Sequence, residues 1–178
     1  MSFNQTMLTL GAFLLLSVIL TSFYRLLANS GDTINDAQAG ISSLTYATTY
    51  MELAEGLSFD EVTVDSFLTT AQIGLLTSPL NLGPENPPPS GESTENNFTS
   101  FDDIDDLNNY SVIDSSLKGI TGTFKTSFKV YYINPLDLSQ TSVTRTFVKR
   151  VDMTVCRIYP PSRDTLTHSI VMGYFHYD

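Results

Sequence analysis

Tryptophan is absent from this 178-residue chain, cysteine occurs once and histidine twice. A single thiol, Cys156, excludes an intrachain disulfide and any zinc site built on cysteines. His168 and His176 lie near the C-terminus with no second cluster beside them. Asp164 stands four residues before His168, and on an extended chain that separates them by more than about 10 Å, four steps of ~3.3 Å each. No G-x-S-x-G nucleophile elbow accompanies them. Both histidines therefore read as strand residues. No catalytic or cofactor-binding residue is assigned, and the chain is expected not to be an enzyme. Basic residues are also scarce, with 9 Lys and Arg against 19 Asp and Glu, for a net charge of −10. Phosphate backbones require clustered cations, so nucleic acid is not an expected partner.

What remains is apolar enough to fold. Hydrophobic residues make up 42% of the chain and charged residues only 16%, a balance unlike that of disordered chains. The length suits one domain, or one domain with an appendage. The charges are unevenly placed. Residues 1–31 carry only Arg25, residues 32–114 hold fifteen carboxylates and no Lys or Arg, and residues 118–178 hold eight basic and four acidic side chains. Two readings follow. The basic part sits beside the acidic part within one chain, or the two meet between subunits, where complementary charge sets register and orientation. The first is the simpler.

Residues 6–27 (TMLTLGAFLLLSVILTSFYRLL) contain one charge and no proline. About twenty apolar residues in a helix cover the ~30 Å of hydrocarbon in a bilayer. The run is apolar all round, so it belongs in lipid or inside an assembly. A cleaved signal peptide is the rival reading, but no Lys or Arg precedes the run, and a helical pattern follows it. From Ile34 the apolar positions step by threes and fours through Ala37, Ile41, Leu44, Ala47 or Thr48, Met51 and Ala54, one stripe of an amphipathic helix. Gly56 is placed to cap it. The organisation expected is an apolar helix over 1–28, an amphipathic helix over 29–56 and a β-rich domain over 57–178. Asn29-Ser30-Gly31-Asp32 is either a kink in one helix or the cap of a second.

Residues 57–76 are ambiguous between strand and short helix. Residues 78–100 bring five prolines and read as a long surface loop, with Pro87–Pro89 extended. The final third alternates. In 123–133, Phe124, Phe128, Val130 and Tyr132 share a face. In 142–158, Val143, Phe147, Val151, Met153 and Val155 do the same. Residues 166–177 supply a third run rich in aromatic and β-branched residues. Turns at 134–137 and at Pro160-Pro161 separate the three into an antiparallel meander. Its apolar face needs a cover, and the Ile34–Ala54 stripe is the one long amphipathic helix available. The fold class expected is α+β. Tyr131, Tyr132, Tyr174 and Tyr177 are read as sheet-packing residues.

This layout, with an apolar then amphipathic leading helix, a variable loop and an antiparallel sheet, resembles type IV pilins and the pseudopilins of type II secretion. Three stretches sharpen the resemblance. FDDIDDLNNYS (101–111) is similar to an Asp-Asp-apolar-Asp-Asp-aromatic stretch of many pilin-like proteins. Phe59-Asp60-Glu61 resembles a Phe-Asp-Glu just past their helix, and 147–155 (FVKRVDMTV) is similar to their penultimate strand. The resemblance implies a structural subunit of an extracellular, cell-surface filament. The subunit would be held in the membrane before assembly and polymerise with copies of itself through its leading helix. It also implies an inner-membrane assembly machinery and a prepilin-type peptidase as partners. Assembly would use Met1, Gln5, Leu8, Phe13, Leu16, Ile19, Phe23 and Arg25. Two departures stand out. No basic leader precedes Met1, which is read as a post-cleavage residue or the true start. Gln5 occupies the place of the family's usual glutamate, and an amide cannot offset the charge of a neighbour's terminal amine. A minor or tip pilin, a pseudopilin and a single-pass anchored protein that never polymerises are the alternatives.

Two further groups complete the reading. Asp102, Asp103, Asp105 and Asp106 read first as a solvated acidic turn. They are also candidate calcium ligands, since that ion takes clustered oxygens from flexible loops and some pseudopilins, by resemblance, use it so. Asn4, Asn97 and Asn109 stand in N-x-[ST] triplets, and Asn97 and Asn109, in expected loops, are the candidate glycan acceptors.

Overall fold

A computed structural model describes residues 3–85, 94–116, 122–161 and 165–175. One helix, α1 (Phe3–Glu55), runs 53 residues, about 80 Å at 1.5 Å per residue. It passes through Asn29-Ser30-Gly31-Asp32 without interruption, so the expectation of a second, separately capped helix is overturned. Hydroxyls along it return to the backbone: Thr21 Oγ1 donates to Ser17 O at 2.8 Å and Thr33 Oγ1 to Asn29 O at 2.9 Å. Such bonds leave the hydroxyls satisfied without competing for the helix N–H groups. The chain divides into two compact units, Met1–Ile41 and Ser42–Asp178.

In the second unit, strands β1 (Ser111–Asp114), β2 (Thr123–Asn134), β3 (Asp137–Thr141), β4 (Val148–Tyr159) and β5 (Thr165–Gly173) form one antiparallel sheet. Its order is β1-β2-β4-β5, with β3 folded back on β2. The three long runs read from the sequence are β2, β4 and β5. The two short strands were not foreseen, because four or five residues show too little alternation. In β2, Phe124, Thr126, Phe128, Val130 and Tyr132 are buried while Lys125 and Lys129 face out. In β4, Lys149, Val151, Met153 and Val155 are buried. Val143, expected on that face, lies before the strand and is exposed.

Ala47, Met51 and Ala54 of α1 are buried, and Tyr46 and Tyr50 meet Phe124 and Phe128 at 5.3 and 5.8 Å between ring centroids. The helix covers the sheet as expected, through the C-terminal end of the expected stripe, Ala47, Met51 and Ala54. Ile41 and Leu44 remain exposed. The buried set steps 47, 51, 54 with tyrosines at 46 and 50, so small side chains let the helix approach while the rings fill the space beside it. Leu44 lies only about 20° round the helix from Met51, so the expected stripe is buried from Ala47 onward, while Ile34, Ile41 and Leu44 before it are exposed.

The segment between helix and sheet is not a surface wrapping. Two 3-10 turns, Glu61–Thr63 and Thr70–Leu75, follow α1. Phe59, Leu68, Leu76, Leu82, Phe101, Ile104 and Leu107 are all in the core. Part of the 78–100 stretch is thus built into the fold, while residues 86–93 lie outside the described residues.

Candidate functional site

Two features carry chemistry. One is the leading part of α1, and the other is a charge cluster inside the second unit. From Phe3 to Leu27, fifteen large apolar side chains stand 47–75% exposed. The stretch from Phe3 to Tyr24 holds no charge and spans about 33 Å. The helix is therefore long and apolar enough to cross a membrane. Leu8, Phe13, Leu16, Ile19 and Phe23 are among the exposed residues, while Gln5 and Arg25 lie on the same helix and are exposed too. Met1 lies outside the described residues. At roughly 1.5–3 kcal/mol per fully buried large apolar side chain, covering this surface is worth on the order of 20 kcal/mol.

The cluster begins at Lys149. Period-two alternation in β4 turns it inward, and its side chain has no exposure. Its Nζ donates to Asp60 Oδ2 at 2.7 Å, to Asp105 Oδ1 at 2.5 Å and to Phe59 O at 2.8 Å. The ammonium also stands over the rings of Phe59 and Tyr132, 4.6 and 5.0 Å from their centroids. A buried cation is tolerable only when paired and hydrogen-bonded, and here every donor direction is met. Asp60 is equally well served. It accepts from Thr77 N at 3.0–3.1 Å, Thr77 Oγ1 at 3.2 Å and Tyr132 OH at 3.1 Å, besides Lys149. Burial and the Asp60 charge push the Tyr132 phenol up. Asp105 is less well served, with Oδ2 unpartnered. Burial raises it to about 6, against the lowering effect of Lys149.

The acidic run is therefore interior. Asp103, Asp105 and Asp106 have no exposure, which overturns the solvated-turn reading. The cause is local. A bridge aligns Ser58 with Asp103, with Ser58 N donating to Asp102 O at 2.9 Å and Ile104 N to Ser58 O at 3.0 Å. This carries the run in beside β2, where Phe128 N donates to Tyr110 O at 3.0 Å and Val130 N to Asn108 Oδ1 at 3.1 Å, and Ile104 and Leu107 anchor it. Asp103 Oδ1 then accepts from the N–H groups of Asp105 at 2.6 Å and Asp106 at 3.2 Å, shaping the 3-10 turn Asp105–Leu107. Burial, with Asp105 and Asp106 nearby, raises Asp103 to about 9.

The four aspartates do not converge as one set. Asp103 supports the turn, Asp105 pairs with Lys149, and the half-buried Asp102 gives its N–H to Asp106 Oδ2 at 3.3 Å. Asp106 instead joins two glutamates outside the run. One oxygen each of Glu85, Glu95 and Asp106 lies within 4.8 Å of the others. Glu95 and Asp106 are buried, and Glu95 Oε2 accepts from Glu85 N at 3.1 Å. Like charges at this spacing repel by about 4 kcal/mol per pair at an effective dielectric constant near 20. Burial and the neighbouring Glu95 raise Asp106 to about 8, and burial and the Glu95 contact raise Glu85 to about 8.

The remaining candidates are dispersed. Asn97 and Asn109 are both exposed in connecting segments, the latter at φ 63°. His168 is exposed on β5, whereas His176, Asp164 and Tyr177 lie outside the described residues. Tyr132 and Tyr174 do pack within the fold; the Tyr174 hydroxyl accepts from Leu68 N at 2.8 Å. Comparison with family models, with curated proteins and with solved structures finds no match to this chain. Its architecture, a long apolar N-terminal helix with a C-terminal five-stranded antiparallel sheet, is that of an α+β, pilin-like fold.

Proposed function

We propose that this chain is a structural subunit of a type IV pilus-like filament, held in the membrane by its leading helix and polymerised through it. The observation that carries the reading is the uncovered apolar surface from Phe3 to Leu27, beside a second unit that owns a separate core. Lipid covers such a helix before assembly. On assembly the helices of successive copies cover one another. Lipid and helix are about equally apolar, so packing rather than a hydrophobic gain drives that exchange. The partners are other copies of the chain and, by the resemblance, an inner-membrane assembly machinery and a prepilin-type peptidase. The filament would be displayed at the cell surface.

Electron microscopy of native material is the test, paired with a chain lacking residues 1–28. The full chain should appear in helical arrays with its helices bundled on the axis, and the shortened chain should stay soluble and unpolymerised. Discrete particles with lipid-wrapped helices, or polymers from the shortened chain, would overturn the proposal. Gln5 favours a second reading as a minor or tip subunit, because such a subunit has no further neighbour whose terminal amine needs a counter-charge. Its abundance in sheared filaments separates the two, since a major subunit dominates that preparation.

A further inference from the structure

Lys149 is a primary amine sealed in the core between two carboxyl groups. Its side chain and those of Asp60 and Asp105 have no exposure. Nζ stands 2.7 Å from Asp60 Oδ2 and 2.5 Å from Asp105 Oδ1, and the two carboxyl groups are in hydrogen-bond contact with each other. The rings of Phe59 and Tyr132 close over the nitrogen. The two acids are held differently. Asp60 is fixed through both oxygens by Thr77 and Tyr132. Asp105 Oδ2 is buried and accepts no hydrogen bond, so no donor holds that oxygen in place.

We propose that Lys149 and Asp105 condense within the folded chain into an isopeptide bond, with Asp60 as the proton relay. Lys149 Nζ attacks Cγ of Asp105, a C–N bond forms, and the bond from Cγ to one carboxyl oxygen breaks. The ammonium gives up two protons, which pass through Asp60 to the departing oxygen, and that oxygen leaves as water. The third proton stays on the amide nitrogen, and Asp60 ends in the charge state in which it began. The step consumes no oxidant, reductant or co-reactant. A nitrogen in contact with a carboxyl oxygen stands about 3–3.5 Å from its carbon, the separation of a near-attack arrangement. Burial raises Asp105 to about 6, so the neutral acid, the form open to an amine, is within reach near neutral pH. An ordinary buried pair has no second acid to move the protons, whereas here Asp60 touches both reacting groups. A charged pair is costly to keep out of water, and the amide that replaces it carries no charge. The bond ties β4 to the 3-10 turn Asp105–Leu107 across 44 positions of sequence. It belongs to the chain's own core and does not depend on whether the chain polymerises.

The test is mass spectrometry of the full chain, folded in detergent at neutral pH and compared with the same chain kept unfolded in urea from extraction onward. The folded chain should be lighter by the mass of one water, because the three groups meet only in the fold. After proteolysis it should yield one branched peptide that joins the segments carrying Lys149 and Asp105. Lys149→Arg, which keeps a cation but has no nucleophilic amine, should retain the full mass, as should Asp105→Ala. Asp60→Ala should slow bond formation by about a hundredfold or more, in line with the loss of a general acid–base group. The branched peptide is read on the parent chain, so the result stands even where a variant fails to fold. A folded parent that keeps its full mass after prolonged incubation would overturn the proposal. So would a lost water that maps to a succinimide, or a branched peptide that joins Lys149 to Asp60.

Discussion

Replacing Lys149 with methionine removes one charge and keeps an apolar stem of similar length. The side chain sits at zero exposure, donating to two carboxylates and a carbonyl at 2.5–2.8 Å. Its loss leaves Asp60 and Asp105 buried without a counter-ion. Removing one member of a buried pair costs about 3–5 kcal/mol, chiefly as the penalty of the stranded charge. A domain holds about 5–15 kcal/mol in total, so this is a large fraction. At about 2–4 °C per kcal/mol, Lys149→Met should lower the melting temperature by about 6–20 °C. The deficit should shrink on acidification. Burial holds Asp105 up to about 6 against the lowering effect of Lys149, and losing the cation removes that lowering. The protonated form of Asp105 then favours folding below about pH 4, and that favour is lost as pH rises through its folded value. The two partners should also differ. Asp60 retains Thr77 and Tyr132 as donors, so an amide there would set donor against donor, whereas Asp105 Oδ2 is unpartnered. Lys149→Met with Asp105→Asn should therefore recover more stability than Lys149→Met with Asp60→Asn. Urea unfolding of the full chain in detergent, followed by circular dichroism and tyrosine fluorescence, measures each case. A single-variant loss below about 1 kcal/mol, or a deficit that grows between pH 7.5 and 5, would refute the reasoning.

The protein should lose stability as pH rises from about 5 to 9. Asp103, Asp106 and Glu85 are raised to about 9, 8 and 8, so the stabilisation from their protonated forms is full below about pH 4 and gone above those values. Asp114, Asp137 and Asp152 are lowered by hydrogen bonds and act below about pH 4, outside this window. Urea midpoints that stay flat or climb with pH would count against the buried-acid description. Gly122→Ala should destabilise by about 1–3 kcal/mol, because φ there is +125° and a Cβ would fall 2.2 Å from the backbone oxygen of Tyr159. That residue leads into β2 where its register with β4 shifts. A melting curve matching the parent would show that the backbone relaxes freely there.

Much of the architecture is a matter of local pattern, and local pattern is written in sequence. The uncharged run to Tyr24 needs no tertiary information to be recognised, because its environment follows from composition and length. The alternation of β2 and β4 likewise assigned inward faces before any contact was known. The same alternation carried an unread signal. Residues 147, 149, 151, 153 and 155 share a side, so Lys149 was already placed inward among Val151, Met153 and Val155. An inward lysine demands acids, and Asp60 and Asp105 lie in two of the three stretches that carried the resemblance. The three stretches meet at one buried ion cluster.

Only the tertiary structure decided the partners. A sequence shows four aspartates in five residues as one acidic run, because charge counting cannot see which side chain turns which way. The bridge between Ser58 and Asp103 and the hydrogen bonds to Phe128 and Val130 draw that run beside β2, and the 3-10 turn then sends Asp105 to Lys149 and Asp106 to Glu85 and Glu95. These contacts span tens of residues along the chain, so no local period encodes them. The covering stripe on α1 was settled in the same way. The steps of threes and fours nominated Ile41 and Leu44 together with Ala47, Met51 and Ala54, and the fold covers the last three, where Ala47 and Ala54 are small enough for the helix to come close.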